Sequence, residues 1–385
     1  MKVSDTMFKL FAFAFFAFAL AFMDYLSKTM SVDEEGTRYW FIRGQLLMDL
    51  VCVVIYITCL NRDYKGIHLV CLLWLLIMPV IMFLNNAPIT DTFQTILWPF
   101  IFETTYLCCR YDQKRWKYLK NEYIIFAIIG AYYFLITRVG ADRQTNTIYF
   151  FALTVPYLLF NTGKRNVLII TLLFSFMALL SLKRSMMLSM VLIWAFFLLN
   201  GMRKTRTKIY TIVLSLVLLG GIYFAYDKVD EMTRGILTQR VTKEETDEGN
   251  GREAIWGLTI NMIQTSTPGK LITGHGHYGV KKNSILDISA HNDFLEVIYD
   301  YGLLIFILYL CLWGHVIQQT YRLYKARSEL FMPYAASLSL FFIMSMVSHL
   351  ILYTSYFNYL VMFWGMIEAI IETERKVAAK NKLLS

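Results

Sequence analysis

Residues 291–310 read HNDFLEVIYDYGLLIFILYL, and along this stretch a polar segment turns into an apolar one. The first half holds His291, Asn292 and three carboxylates, whereas the second half, from Tyr301, carries no charge. Such a change predicts the point where the chain enters a lipid bilayer, because an apolar helix of about 20 residues spans the ~30 Å hydrocarbon core. The stretch therefore marks a membrane boundary at which polar groups are concentrated.

The rest of the chain repeats the apolar pattern. Hydrophobic residues make up 57% of the 385 positions and charged residues only 17%, whereas soluble proteins carry about 25% charged residues. The sequence predicts an all-α polytopic membrane protein with about 12 transmembrane helices. The twelve apolar runs lie near residues 7–24, 44–60, 66–84, 92–109, 122–139, 145–161, 165–182, 185–201, 208–226, 293–320, 331–352 and 355–372.

The lysines and arginines predict the orientation of these spans. With the N-terminus inside, the inner segments hold 22 of the 37 basic residues, and cytoplasmic loops normally carry such an excess. Both termini are then cytoplasmic, and residues 227–292 form one large extracytoplasmic loop between spans 1–226 and 293–385. The net charge of +9 is scattered over the inner loops. This distribution argues against nucleic-acid binding, which uses clustered basic patches.

The outer loop contains a segment with helical periodicity. Residues 252–265 have the periodicity of an amphipathic helix, with one face formed by Ile255, Trp256, Thr259, Ile260 and Ile263. Pro268-Gly269 is expected to end this helix. A helix of this kind, with a tryptophan on its apolar face, is typical of a segment lying along the membrane surface.

Several arginines are candidates for binding an anion. Arg252 opens the predicted amphipathic helix, where it and the N–H groups of the first turn could bind an anionic group together; the alternative is a solvated arginine. Lys183 and Arg184 interrupt two apolar runs on the outer side, and charges at such depth usually face an interior or an aqueous cavity. Arg138 and Arg143 flank another outer turn and are weaker candidates.

His291 is the candidate for proton chemistry, because a neutral imidazole can take a proton from a hydroxyl near neutral pH. Asp293, Glu296 and Asp300 follow on one helical face. They could orient the histidine or bind sugar hydroxyls. The alternative is that they cap the helix, which would explain Asp293 but not the two deeper acids.

A second histidine-containing segment lies at Gly274–Gly279, whose sequence GHGHYG matches GxGxxG. No strand precedes it and no crossover helix follows, so a dinucleotide site is rejected. His275, His277 and His291 could in principle bind zinc, but no cysteine assists and the spacing is not diagnostic. The preferred interpretation is a glycine-hinged loop that lets backbone approach a substrate, with no metal and no cofactor.

At these residues the chain resembles the O-antigen ligase/polymerase superfamily of bacterial membrane glycosyltransferases. The resemblance rests on the late outer loop and on three patterns: Ser-x-x-Arg ending at Arg184, Gly-Arg-x-x-Ile-Trp over 251–256, and His-Asn-x-Phe-Leu-Glu from His291 followed by Tyr-Gly at 301–302. Lys183, where a small residue is more usual, is a departure from the family pattern and leaves the role of the Lys183–Arg184 pair open.

The resemblance implies an inverting, metal-independent transfer of a glycan from an undecaprenyl-diphosphate carrier in the bacterial inner membrane. Arg184 and Arg252 would bind the diphosphate, and His291 would activate or orient the acceptor hydroxyl with Asp293 or Glu296 as its partner. The other side chains expected to contact substrate are Arg138, Arg143, Lys183 and Trp256. Expected partners are membrane lipids and, in the same pathway, a chain-length regulator and a flippase.

The acceptor separates the members of this superfamily. The acidic, aromatic version of the motif from His291 to Gly302 resembles polymerases of surface polysaccharides, whose acceptor is another lipid-linked repeat unit. The alternative is a ligase that transfers the glycan to lipid A core. A secondary transporter would require paired, broken spans around a midplane site, and a non-catalytic scaffold would not need His291.

Overall fold

The computed structural model describes residues 3–28, 34–59, 64–110, 112–138, 147–201 and 251–384, together with a few positions between 220 and 238. Within these residues the chain is helical and contains no strand. The all-α fold class predicted from the sequence is therefore confirmed for the described part of the chain.

Among the described residues, eight helices lie before residue 202, three shorter ones lie between residues 252 and 283, and three long ones follow. The first eight are α1 (Asp5–Lys28), α2 (Glu34–Thr58), α3 (Ile67–Leu84), α4 (Ile89–Cys109), α5 (Gln113–Arg138), α6 (Thr147–Leu159), α7 (Lys164–Leu180) and α8 (Arg184–Gly201). The described part continues with α9 (Arg252–Gln264), α10 (Pro268–Thr273), α11 (Gly279–Asn283), α12 (Asp293–Lys325), α13 (Phe331–Val347) and α14 (Thr354–Leu384).

Six of the described helices are long and apolar enough to cross a bilayer, namely α1, α2, α3, α5, α8 and α12. Three shorter apolar helices, α6, α7 and α13, accompany them. This composition makes the chain a membrane protein. The predicted span 208–226 falls almost wholly outside the described residues, so the count of twelve and the sidedness of the loop stay predictions.

The chain falls into two compact units, each assembled from segments distant in sequence. The first contains residues 1–122, 247–318 and 344–385, and the second contains residues 123–246 and 319–343. The sequence predicts a different kind of division, into membrane spans (1–226 and 293–385) and a loop (227–292). The two compact units do not test that prediction.

In the first unit, α4 packs against α14, α3 and α2. The contact with α14 is close because Gly365 lies where the two helices meet: a Cβ atom there would come within 2.5 Å of the Phe102 carbonyl oxygen. Small residues allow such backbone approach in membrane helix pairs, where packing rather than the hydrophobic effect drives association. The buried rings of Trp98 and Phe357 contact each other at the same interface, with their centroids 5.7 Å apart.

In the second unit, α6, α7 and α8 pack together. Nearly every residue of α6 is buried, which is the pattern of a helix surrounded by protein rather than by lipid. The α5 segment approaches α6 at Gly130, where an added Cβ would lie 2.8 Å from the ring of Phe150. The buried rings of Tyr123 and Tyr157 stack alongside.

Helix α12 is broken about two and a half turns after it begins, at Gly302, whose φ of 78° is left-handed. A Cβ at this position would lie 2.2 Å from the Ile272 carbonyl oxygen, so only glycine fits. The carbonyls of Tyr299 and Asp300 accept hydrogen bonds from the N–H groups of His275 (3.0 Å) and Gly276 (2.8 Å). The glycine loop therefore packs against the broken helix; its expected approach to a substrate stays a prediction.

Candidate active site

The site begins at the residue that caps α12. The Asn292 side-chain oxygen accepts hydrogen bonds from the N–H groups of Phe294 (3.0 Å) and Leu295 (3.3 Å), as an N-cap residue does. His291, directly before this cap, has a φ of 53° in the left-handed region. A residue other than glycine rarely adopts this backbone conformation unless neighbouring groups stabilise it. The cap thus fixes His291 at the mouth of the helix.

Glu296 supplies that support from one turn into α12. The side chain is fully buried, and its Oε1 accepts a hydrogen bond of 3.0 Å from the backbone N–H of His291. The same carboxyl group lies 3.0 Å (Oε1) and 3.1 Å (Oε2) from Nδ1 of His349. One carboxyl group therefore connects two histidines that are far apart in sequence.

The two histidine rings lie against each other. Their centroids are 4.1 Å apart and the planes are inclined by 39°. His349 lies in the connection 348–353, between the end of α13 at Val347 and the start of α14. His349 is not among the residues predicted from the sequence. The signal that could have found it is a polar histidine near the end of an apolar run, at the same predicted membrane boundary as His291.

His349 is neutral at ordinary pH. Burial lowers the pKa of this histidine to about 4, and the positive charge of Arg252 lowers it further in the same direction. Arg252 is the first residue of α9 and is half-buried, so the start of α9 faces the histidine pair. The structure thereby brings Arg252, His291 and Glu296, all selected from the sequence, together with His349.

Asp293 is one of two acids predicted to pair with His291, and the structure gives it other partners; its predicted contact with substrate stays a prediction. The side chain is fully buried, and its two oxygens accept hydrogen bonds from the N–H groups of Leu350 (3.0 Å) and Ile351 (3.2 Å). The Tyr309 hydroxyl donates to it at 3.4 Å. The carboxyl group that contacts His291 is therefore that of Glu296. Asp293 holds the backbone that immediately follows His349.

Trp256 connects α9 to the same region. Its indole Nε1–H donates a 2.8 Å hydrogen bond to the carbonyl of Ala290, the residue before His291. Ile255 and Thr259 on the same helix are buried. The predicted helix is thus present. Its Trp256 is hydrogen-bonded to the loop, whereas the side chain of Ile260, predicted on the same face, is 43% exposed. The helix ends at Gln264, and Pro268 starts α10 rather than terminating α9.

Residues 169–310 match the family model described as O-antigen ligase. The matched range starts in α7, ends in α12 and contains Arg184, Arg252, His291 and Glu296, whereas His349 lies beyond it. The match confirms the resemblance to the O-antigen ligase/polymerase superfamily, a family of membrane glycosyltransferase-type enzymes. No curated protein matches the chain.

Within the matched range, the glycine-loop histidines belong to the supporting structure. The ring of His275 stacks on Tyr299, with centroids 4.1 Å apart, and its Nε2 lies 3.0 Å from the Ser266 hydroxyl. His277 is buried and its Nδ1 lies 2.5 Å from the Tyr301 hydroxyl. Burial lowers the pKa of His277 to about 3. In the described part of the chain, no group of three histidine, cysteine or acidic side chains is placed to hold a metal ion.

Asp300, the third acid of the predicted face, also belongs to this supporting structure. It is fully buried, and its Oδ1 accepts a 2.8 Å hydrogen bond from the N–H of Val280 at the start of α11.

Asn85, at the end of α3, holds the segment next to the glycine loop. Nζ of Lys270 donates to the Asn85 side chain at 2.6 Å, and Asn85 donates to the Thr273 carbonyl at 2.9 Å. The outer loop is thus tied to the end of α3.

The other predicted cations lie in the second unit. Arg184 is half-buried and starts α8, two residues after Leu182, whose φ of 57° makes the turn from α7. The Lys183 ammonium lies 5.6 Å from the centroid of the Tyr149 ring, within the range of a cation–π contact. Arg143 and the side chain of Arg138 lie outside the described residues.

Proposed function

We propose that this protein is a polymerase of a surface polysaccharide. It transfers an undecaprenyl-diphosphate-linked glycan onto the acceptor sugar of another lipid-linked repeat unit. The observation that carries the proposal is the convergence of Arg252, His291 and Glu296, three residues of the O-antigen ligase match, at one place with His349. Transfer of a glycan from a diphosphate needs a cation to stabilise the leaving diphosphate and a group that accepts the proton of the attacking hydroxyl.

The chemistry assigns a task to each side chain. The acceptor hydroxyl attacks the anomeric carbon from the face opposite the diphosphate, the bond from that carbon to the phosphate oxygen breaks, and the electron pair leaves with the diphosphate. Arg252 would stabilise the charge that develops there, since a guanidinium binds phosphate oxygens in a bidentate manner. His291 would activate or orient the hydroxyl.

The membrane setting fits a lipid-linked donor. A polyprenyl tail requires an apolar groove, and the chain supplies apolar helices on both sides of the loop in sequence. The proposal places the protein in the bacterial inner membrane, with both termini cytoplasmic and the loop containing α9, α10 and α11 outside. Arg184, in the second unit, is proposed as a second cation for the diphosphate on the basis of its sequence pattern alone.

A second candidate is a ligase that transfers the glycan to lipid A core. It is favoured by the description of the matched family model, which names a ligase. The two candidates share the donor and the leaving group and differ only in the acceptor. The same site can therefore serve either reaction.

The test is the glycan pattern of cells that lack this gene and are complemented with wild type, Arg252→Ala or His291→Ala at equal membrane expression. Lys281→Ala serves as the control, because this lysine is exposed on the same loop. A polymerase predicts that wild type and the control restore long chains, whereas the two site variants leave single repeat units.

Polymer that accumulates on undecaprenyl diphosphate without reaching lipid A core identifies the ligase instead. Normal chains from both site variants contradict the proposed site and favour a transporter or a scaffold.

A further inference from the structure

A row of aromatic side chains leads away from the candidate site. Tyr353, at the end of the 348–353 connection, has its ring centroid 5.4 Å from that of His349. Tyr356 in α14 follows at 6.4 Å, and Phe22 of α1 lies 4.9 Å beyond it, edge to face. The row is therefore continuous with the histidine pair and joins two segments that are far apart in sequence.

Two further rings complete the row where α1 packs against α2. The centroid of Phe41 lies 5.4 Å from that of Phe22 and 5.2 Å from that of Tyr25. Burial raises the pKa of the Tyr353 hydroxyl, and the neighbouring Glu296 and Tyr25 raise it further, so Tyr25 also lies near the first ring of the row. Five rings define this aromatic platform: Phe22, Tyr25, Phe41, Tyr353 and Tyr356.

We infer that the aromatic platform binds the acceptor glycan and thereby brings its attacking hydroxyl to the histidine pair. The platform would act by stacking on sugar rings, without taking part in the proton transfer. This inference rests on the proposed function, because it names the substrate that the platform holds for that reaction.

The exposure of the rings fits a ligand that has both apolar and polar surface. Phe22 is 2% exposed and supports the others from behind, whereas Tyr353 is 44% exposed. Tyr25 and Tyr356 are half-buried, so all three tyrosines keep part of the side chain at the surface. A sugar ring presents C–H groups on its faces and hydroxyls at its edge. Tyrosine matches both, with an apolar ring and a hydroxyl at its tip, and ligand sites commonly combine aromatic lining with a few polar groups.

Charge and chemistry favour the acceptor sugar over the other parts of the substrates. The five rings carry no positive charge, whereas a diphosphate needs cations, and the cation beside His349 is Arg252 from α9. A polyprenyl tail offers no hydrogen-bond partner to the tyrosine hydroxyls. The glycan of a lipid-linked unit begins where its tail ends, at the membrane boundary, and Tyr25 and Tyr353 lie next to ends of predicted apolar runs.

The platform also differs from an aromatic belt. Tyrosines at a membrane interface commonly anchor a helix by facing the lipid headgroups. Here the rings contact one another across α1, α2 and α14, and the row reaches His349. A belt predicts that loss of a ring affects stability alone, whereas the platform predicts an effect on acceptor binding.

The test uses the purified full-length protein and the repeat-unit oligosaccharide released by mild acid from the lipid-linked units of host cells that lack this gene. With lipid-linked units as the donor, this soluble oligosaccharide is the acceptor, so its KM is measured separately. Tyr353→Ala is expected to raise the acceptor KM by roughly 10-fold with little change in kcat, since loss of one ring contact weakens binding by about that factor. Tyr321→Ala removes a tyrosine that is 62% exposed at the other end of α12; it is the control and should behave as wild type.

Saturation-transfer NMR measures binding of the same oligosaccharide without turnover. Irradiation of the aromatic protons of the wild type should transfer magnetisation to the C–H protons of the sugar. The transfer should fall in Tyr353→Ala and in Tyr356→Ala. Tyr353→Phe keeps the ring and is expected to keep the transfer and most of the affinity, which distinguishes stacking from a hydrogen bond through the hydroxyl.

An acceptor KM and a saturation transfer equal to wild type in Tyr353→Ala and Tyr356→Ala overturn the inference. A wild type that forms polymer but binds no soluble oligosaccharide overturns it as well. Undecaprenyl diphosphate alone is the second probe: if the variants lose its binding while the acceptor KM is unchanged, the rings hold the polyprenyl tail and the inference is wrong. Tyr353→Ala, at the exposed position, decides the matter if Tyr356→Ala does not fold. If the wild type forms no glycosidic product from lipid-linked units, the proposed function fails instead.

Discussion

Two buried carboxyl groups, three residues apart on α12, carry out different tasks. Glu296 contacts the backbone of His291 and the ring of His349, whereas Asp293 accepts hydrogen bonds from the two N–H groups that follow His349. Each therefore connects the start of α12 to a different part of the connection 348–353. The distinction follows from partners that are more than fifty residues away in sequence.

At this scale, Asp293→Asn is expected to destabilise the protein. The amide group can accept from only one of the N–H groups of Leu350 and Ile351, and its own NH₂ faces the other. A buried donor left without an acceptor costs about 1–3 kcal/mol. Thermal unfolding in detergent micelles measures the loss, with Asp287→Asn on the exposed part of the loop as the matched control. Equal unfolding temperatures for the two variants would contradict the role assigned to Asp293.

At the scale of elements, the break in α12 places the site. The helix is interrupted at Gly302, and the freed carbonyls of Tyr299 and Asp300 are bonded by the glycine loop. The glycine residues of the two segments fit each other: a Cβ on Gly274 would lie 2.2 Å from the Asp300 carbonyl oxygen. The first part of α12, which carries Asp293 and Glu296, is thereby fixed to the outer loop rather than simply continuing the membrane span.

Gly302→Ala is expected to disrupt this arrangement. The new Cβ would overlap the Ile272 carbonyl, and the left-handed φ adds backbone strain, so we expect a loss of at least ~2 kcal/mol and of most activity. Gly314→Ala in the same helix is the control, because nothing lies within 4 Å of its Cβ position. That change should leave stability equal or raise it by about 0.5–1 kcal/mol. Thermal unfolding and the glycan pattern measure both, and a tolerated Gly302→Ala would refute the tight packing.

At the scale of the whole molecule, the orientation of the chain determines on which side of the membrane the proposed reaction would occur. The excess of lysine and arginine in alternate segments predicts that the loop bearing α9–α11 lies outside and that both termini lie inside. The segment after Asn283 offers an exposed reporter position, since Ile285 is 87% exposed. Val377 in α14 is 55% exposed and lies beyond the last predicted apolar run.

The orientation is tested with Ile285→Cys and Val377→Cys in whole cells treated with a membrane-impermeant maleimide. Ile285→Cys should react in intact cells once the outer envelope is opened, and Val377→Cys only after the cytoplasmic membrane is permeabilised. The wild type, with its own six cysteines, gives the background. The reverse pattern of labelling would invert the proposed topology and remove the site from the outer face.

The sequence by itself determined the helical membrane class, predicted a helix over 252–265 that the structure shows as Arg252–Gln264, and selected three residues that meet at the candidate site, Arg252, His291 and Glu296. These follow from local patterns: apolar runs of fixed length, helical periodicity, and a compact motif beside a membrane boundary. The sequence could not assign partners. Asp293 and Glu296 look alike in the pattern, and nothing local distinguishes an acid that contacts a histidine from one that holds a backbone turn.

Only the tertiary structure placed His349 against His291 and gave Glu296 a contact with both. It also showed that the glycine loop packs against a broken helix. The physical reason is the same in each case. Burial and hydrogen bonding between segments far apart in sequence depend on how helices and connections pack, and no spacing along the chain encodes which of them meet.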